Sequence, residues 1–131
     1  MRTKLTLLIA GTLALAAWNA PVPAPRAAGK VIVVKMVDVS PTAYKYEPAA
    51  VTAQPGDTVR FTQGGAMPHN VDFKATPAGA TLGAAKTGKF LTKAGETYDL
   101  VIDARFPAGA YQFACTPHEA LGMKGTLTVQ P

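Results

Sequence analysis

Cysteine and histidine are nearly missing from this chain of 131 residues, which holds one Cys, two His and one Trp. A single cysteine excludes an internal disulfide, and without a C-x-x-C-H motif there is no covalent haem of the c type. Two histidines cannot build the second, His-rich copper site of a copper enzyme unless a partner shares it. Charge is sparse as well, with Asp, Glu, Lys and Arg at 16 %, and no basic run offers a footprint for nucleic acid. From residue 29 onward no stretch of ten or more residues reads as a convincing helix, and there is no internal repeat or low-complexity segment. Long hydrophobic runs are absent too. The most apolar stretch, Leu5–Trp18, covers 14 residues. At about 1.5 Å per residue it falls short of a hydrocarbon core of roughly 30 Å.

That stretch has the layout of a secretory signal. Arg2 and Lys4 precede it, and small residues and prolines (NAPVPAPRAAG) follow. Ala14-Leu15-Ala16 fits a small-x-small cleavage pattern, and Pro21, Pro23 and Pro25 read as a stiff linker. Residues 1–28 are therefore expected to be signal peptide and linker, and 29–131 one domain with one modest core. The protein is expected in the periplasm or another extracytoplasmic compartment, anchored to the membrane there if the segment stays uncleaved. The net charge of +5 follows the same division. Three of the 13 basic residues and none of the 8 acidic ones precede Gly29, which leaves +2 for the rest.

The remainder reads as short strands between turn signals. Lys30–Val39 is β-branched and partly alternating. Tyr44 and Tyr46 alternate with Lys45 and Glu47, Pro48 interrupts, and Val51–Ala53 resumes. Gln54-Pro55-Gly56-Asp57 has the chemistry of a tight turn. Thr58–Gln63 alternates as a half-buried strand does. His69–Phe73 is short and extended. Lys74–Lys89 is an irregular excursion with a helical turn near Ala84–Lys86. Thr97–Ile102, Ala110–Cys115 and Gly125–Val129 complete the set. Seven or eight short strands on about 100 residues predict an all-β, Greek-key sandwich with its loops gathered at two ends.

Every His and Cys lies in one of two segments, MPHN and CTPHEALGM. Each residue taken alone has an ordinary reading. Cys115 could be a small buried hydrophobe, His69 a surface imidazole, Met123 a packing residue. Taken together they form a soft donor set. Cys115 ends a strand, so the pleat fixes its direction. Pro117 stiffens the turn to His118, and Gly122 allows the chain to fold back toward Met123. Pro68 restrains the approach to His69. One thiolate, two imidazoles and a weak thioether suit mononuclear copper, because the set favours neither Cu(I) nor Cu(II) geometry fully. Zinc accepts Cys and His, but its structural sites take four strong ligands and not a thioether. A Cys–His nucleophilic enzyme is poorly served by a His three residues away in a tight turn. A copper carrier that binds Cu(I) without redox turnover is the alternative kept beside electron transfer.

The chain resembles the cupredoxins, the small blue type 1 copper proteins, and among them the plastocyanin and pseudoazurin branch. CTPHEALGM has the spacing C-x2-H-x4-M, MPHNVDF resembles the segment around the family's first His ligand, and AYQFACTPH resembles its strand into the ligand loop. YKYEPAAVTAQPGDTVRF and KAGETYDLVI extend the resemblance over roughly residues 30–131. It implies one copper ion on His69, Cys115, His118 and Met123, cycling between Cu(I) and Cu(II). It implies that Asn70 braces the ligand loop against Thr116. It also implies that His118 lies at the surface within an apolar ring of Ala66, Met67, Pro68, Pro117, Leu121 and Gly122, where a redox partner docks. The expected protein is a monomeric electron carrier rather than an enzyme, with no nucleic acid and no small-molecule substrate. Its expected partners are redox proteins such as cytochromes or membrane electron-transfer complexes. The acidic clusters of plant plastocyanins are missing, which argues against a plant-type photosynthetic partner. Glu119, next to His118, is either a tuning charge or a solvated loop carboxylate.

Overall fold

Alternation along the chain becomes a two-layer sandwich. The computed structural model describes residues 28–131; the expected signal peptide and its cleavage site lie outside the described residues. The strands are β1 (Val31–Ser40), β2 (Ala43–Glu47), β3 (Ala50–Ala53), β4 (Thr58–Gln63), β5 (Asp72–Ala75), β6 (Thr97–Val101), β7 (Gly109–Ala114) and β8 (Lys124–Val129). One sheet has the order β2-β1-β4-β6 and the other β3-β8-β7-β5. The pairs β1–β4 and β3–β8 are parallel and the other pairs antiparallel. Residues two apart face inward: Val34 and Met36, Val59 and Phe61, Tyr111 and Phe113, Leu127 and Val129 are all buried. Phe113 sits at the centre, edge-on to Tyr46, Phe61 and Phe73 with ring centroids 4.9, 5.5 and 5.8 Å away.

The Gln54–Asp57 turn forms as its residues dictate. The Asp57 N–H donates to the Gln54 carbonyl at 3.0 Å, and Gly56 supplies φ +99°. The Lys74–Lys89 excursion holds one helical turn, Gly83–Lys86, near the expected place. The extended segment after His69 differs from expectation. β5 begins only at Asp72, and His69 is held instead by an isolated bridge to Leu91. Their amides exchange hydrogen bonds of 3.1 and 2.8 Å.

Asp57 staples the start of β1 to this turn. Its carboxylate accepts from the Gln54 amide at 2.9 Å and the Lys30 amide at 3.0 Å. The Gln54 amide foremost, working against burial and helped by the Lys30 amide, holds this carboxyl below the ordinary aspartate value. A depressed native pKa stabilises the fold at pH values above about 3.9, and that contribution is lost as pH falls through the lower native value. Asp57→Asn turns an amide nitrogen toward one of the two donors. Urea unfolding of the apo-protein should show about 1–2 kcal/mol less stability at pH 7. The deficit should narrow toward pH 3. An equal deficit at both pH values would contradict the ionic staple.

Candidate metal centre

The donor residues come from both sheets' loops at one end of the sandwich. Cys115 immediately follows β7 and inherits its direction; it is fully buried. Its N–H donates to the Met123 carbonyl at 3.1 Å, and its carbonyl accepts from the His118 N–H at 3.1 Å. A single helical turn, Glu119–Leu121, then carries the chain to Gly122, whose φ of +86° reverses it. That turn was not legible in the sequence; the reversal at Gly122 was. Met123 follows, fully buried, with its N–H on the His118 carbonyl at 3.2 Å. The loop therefore ties Cys115, His118 and Met123 together through their own backbone.

His69 arrives from the connection between β4 and β5, also fully buried. The buried amide of Gln63 donates to the carbonyls of Met67 at 2.6 Å and Leu91 at 2.9 Å, fixing the loop before it. The brace between Asn70 and Thr116 is present in both directions. The Asn70 amide donates to the Thr116 hydroxyl at 3.0 Å, and the Thr116 N–H donates to the Asn70 side-chain oxygen at 2.8 Å. The Tyr46 hydroxyl adds a 2.6 Å hydrogen bond to the Asn70 carbonyl.

Three donor atoms converge. His69 Nδ1 and His118 Nδ1 are 3.1 Å apart, and Cys115 Sγ is 3.6 Å from the first and 3.5 Å from the second. The point equidistant from all three lies about 2.0 Å from each, close to the roughly 2.0–2.3 Å that first-row ions such as zinc keep to imidazole and thiolate. Burial pushes the Cys115 thiol pKa up, while the amides of Asn70 and His118 favour the thiolate. Burial first, then the neighbouring His69, pushes the His118 pKa down and favours the neutral imidazole that a metal needs. The donor set thus fits a soft or borderline ion.

Two residues that sequence reasoning did not assign to the site belong to it. The Tyr44 ring stacks on His118, with centroids 3.9 Å apart and planes at 19°. Its hydroxyl donates to the Pro41 carbonyl at 2.9 Å. His118 is consequently only 6 % exposed, more enclosed than the resemblance implies. Asp38 accepts from His69 Nε2 at 2.7 Å. A signal for both was available: Asp38 continues the inward alternation of Val34 and Met36, and Tyr44 that of Tyr46. A carboxylate on an inward position at a strand end is a residue with a partner to find.

The remaining expectations sort plainly. Ala66, Met67, Pro68, Pro117, Leu121 and Gly122 are all exposed at this end. Glu119 pairs with Lys74 at 3.0 Å, and Lys74 also holds Asp72 at 2.7 Å. The Glu119 carboxylate is thus turned to Lys74, which favours its reading as a solvated loop carboxylate.

A Greek-key sandwich that converges one thiol and two imidazoles at the loop end defines a mononuclear copper protein of the cupredoxin class. Comparison with known proteins agrees. Residues 33–130 match copper binding proteins of the plastocyanin/azurin family. The chain is 38 % identical to the plastocyanin of Prochlorothrix hollandica over 127 residues, covering 97 % of this chain and 88 % of that one. Against the plastocyanin of Synechococcus sp. (strain JA-2-3B'a(2-13)) it is 35 % identical, covering 93 % and 86 %. Among solved structures, the oxidised plastocyanin from Dryopteris crassirhizoma superposes with a TM-score of 0.57 at 29 % identity, covering 75 % of this chain and 99 % of that one. A mutant amicyanin in its Cu(I) form gives 0.58 at 34 % identity, covering 76 % and 82 %. The chain belongs to the plastocyanin/azurin family of copper binding proteins. It is a blue copper electron-transfer protein with copper as its cofactor.

Proposed function

We propose that His69, Cys115 and His118 would hold a single copper ion, with Met123 as a weaker fourth ligand, and that the protein carries one electron at a time between redox proteins outside the cytoplasm. The observation that carries this reading is the convergence of three donor atoms, at separations of 3.1 to 3.6 Å, on a fully buried and hydrogen-bonded scaffold. Bound copper supplies the one-electron couple. The chain's own contribution is to hold the donors in place so that little moves when the charge changes. Cys115 is fixed by strand and loop, His69 by the Leu91 bridge and Asp38, and His118 by the Tyr44 ring. Burial of all three keeps bulk water from the donors.

The partner reaches the site at this end. Met67 and Leu121, each 44 % exposed, lead the apolar ring around the His118 edge. An apolar surface free of acidic clusters suits cytochrome-like or membrane-bound redox partners met by contact more than by charge steering. Both of the chain's histidines lie at the one site, which leaves none for a second metal centre and favours a carrier over an enzyme. The extracytoplasmic location rests on the signal-like segment at residues 1–28.

Copper(II) added to the purified apo-protein should give an intense blue thiolate-to-copper band. Ascorbate should bleach it and ferricyanide restore it without loss of metal. A colourless adduct would refute the ligand set. A Cu(I) form that cannot be reoxidised in place would favour the copper-carrier reading. Met123→Leu should keep the blue band and raise the reduction potential, because a hydrocarbon replaces a lone pair that helps Cu(II). Loss of copper from that variant would show that Met123 is a principal ligand instead of a weak one.

A further inference from the structure

The strand β1 ends in a device that the donor set alone does not reveal. Asp38 lies 31 positions before His69, yet its Oδ1 meets His69 Nε2 at 2.7 Å. Its Oδ2 accepts the backbone N–H of Ala66 at 2.8 Å and of Met67 at 3.0 Å. Both oxygens are thus committed, one to the ring and one to the loop that delivers the ring. The loop is shaped to admit the carboxylate. A Cβ on Gly65 would overlap the Asp38 carboxylate, so glycine is the residue that leaves room for it. Asp38 is also the cross-strand partner of Tyr44, the residue stacked on His118. One residue pair of the β1–β2 hairpin therefore touches both imidazoles.

Resting on the copper reading above, we propose that Asp38 is the positioning residue of the centre: it fixes His69 as the Nε2–H tautomer with Nδ1 facing the metal, and its negative charge lowers the reduction potential. The tautomer follows from valence. A carboxylate whose oxygen accepts from Nε2 requires the proton there, which leaves the Nδ1 lone pair facing Cys115 and His118. The electrostatic part follows from charge. A carboxylate hydrogen-bonded to a ligating imidazole strengthens it as a donor and stabilises the more positive Cu(II) over Cu(I). Both Asp38 oxygens accept hydrogen bonds, one from the His69 ring and the other from the Ala66 and Met67 amides, an arrangement that suits the carboxylate form.

Asp38→Asn is the direct test. An Asn can offer its oxygen to the Ala66 and Met67 amides or to His69 Nε2–H, and not to both. In the apo-protein, nitrogen-15 NMR of the His69 ring should show the Nε2–H tautomer in the wild type and a shift toward Nδ1–H in the variant. Copper(II) affinity should fall about 10- to 100-fold. A tenfold loss confined to Cu(II) corresponds to a rise in potential of about 59 mV for one electron. Gly65→Ala, which crowds the carboxylate without removing its charge, should disturb the same tautomer and lower Cu(II) affinity in the same direction. If Asp38→Asn fails to fold, Gly65→Ala decides the question on the same readouts. An unchanged tautomer and an unchanged potential in a folded variant overturn the proposal, even if stability drops. The wild type separates the two failures. If it does not turn blue with copper the ligand reading fails, whereas a blue wild type with an unshifted variant refutes the role of Asp38 alone.

Discussion

Copper(II) added to the Cys115→Ser protein gives no intense blue band. The band requires a thiolate on copper, and this chain has one thiol. Serine differs from cysteine by one atom, so the variant keeps the buried position after β7 and the backbone ties to Met123 and His118. The amides of Asn70 and His118, which favour the thiolate, would face a hydroxyl instead. What disappears is a soft anionic donor, and the two imidazoles that remain make a weak substitute without the intense band. The optical titration is read beside circular dichroism, which should show an unchanged sandwich. A blue band of wild-type strength would remove Cys115 from the centre. The same thiol sets a pH dependence. Burial keeps it protonated in the apo-protein, so loading the metal releases a proton and copper affinity weakens as pH falls.

The largest effect on stability is expected at Phe113, two residues before Cys115. Its ring is 1 % exposed and is surrounded edge-on by Tyr46, Phe61 and Phe73. A Cβ on Gly125 of the neighbouring strand would overlap it, so the ring fills its space to the backbone. Phe113→Ala leaves a cavity that a two-sheet interior closes poorly and should cost about 3–5 kcal/mol. Net stabilities are about 5–15 kcal/mol, so the apo-variant stands near its unfolding threshold. Copper at 100 times its dissociation constant would return about 2.7 kcal/mol. Urea unfolding of the apo and loaded forms measures both quantities. A loss under 1 kcal/mol would mean that the aromatic cluster repacks around the gap.

Much of this was legible in the sequence because two kinds of signal are local. Alternation such as that of Thr58–Gln63 marks a strand whatever its neighbours are, and Gln54-Pro55-Gly56-Asp57 carries its turn in its own residues. The donor atoms were legible for another reason: rare residues at fixed spacing leave few assignments, and the structure brings His69, Cys115 and His118 together. The contacts that shape the centre were less visible, since they depend on pairing across the chain. Tyr44 reaches His118 from another sheet, and its short period-two run reads equally well as plain core. Asp38 finds His69 only because β1 lies parallel to β4, a register no local pattern encodes. The helical turn Glu119–Leu121 is three residues long, below the length at which periodicity says anything.

The parallel pairing of β3 with β8 has a kinetic meaning. It sets Ala50 beside Thr126 and Ala53 beside Val129, so each contact closes a loop of about 76 residues. Contacts so distant in sequence slow folding into the millisecond-to-second range typical of β-sandwiches. Synthesis delivers a chain from its N-terminus, and Cys115, His118 and Met123 all precede β8 by at most nine residues. The nascent chain therefore presents His69 long before the strands that complete the cage have emerged. A chain stalled before β8 lacks the strand that pairs with β7 and closes the loop carrying Cys115, His118 and Met123.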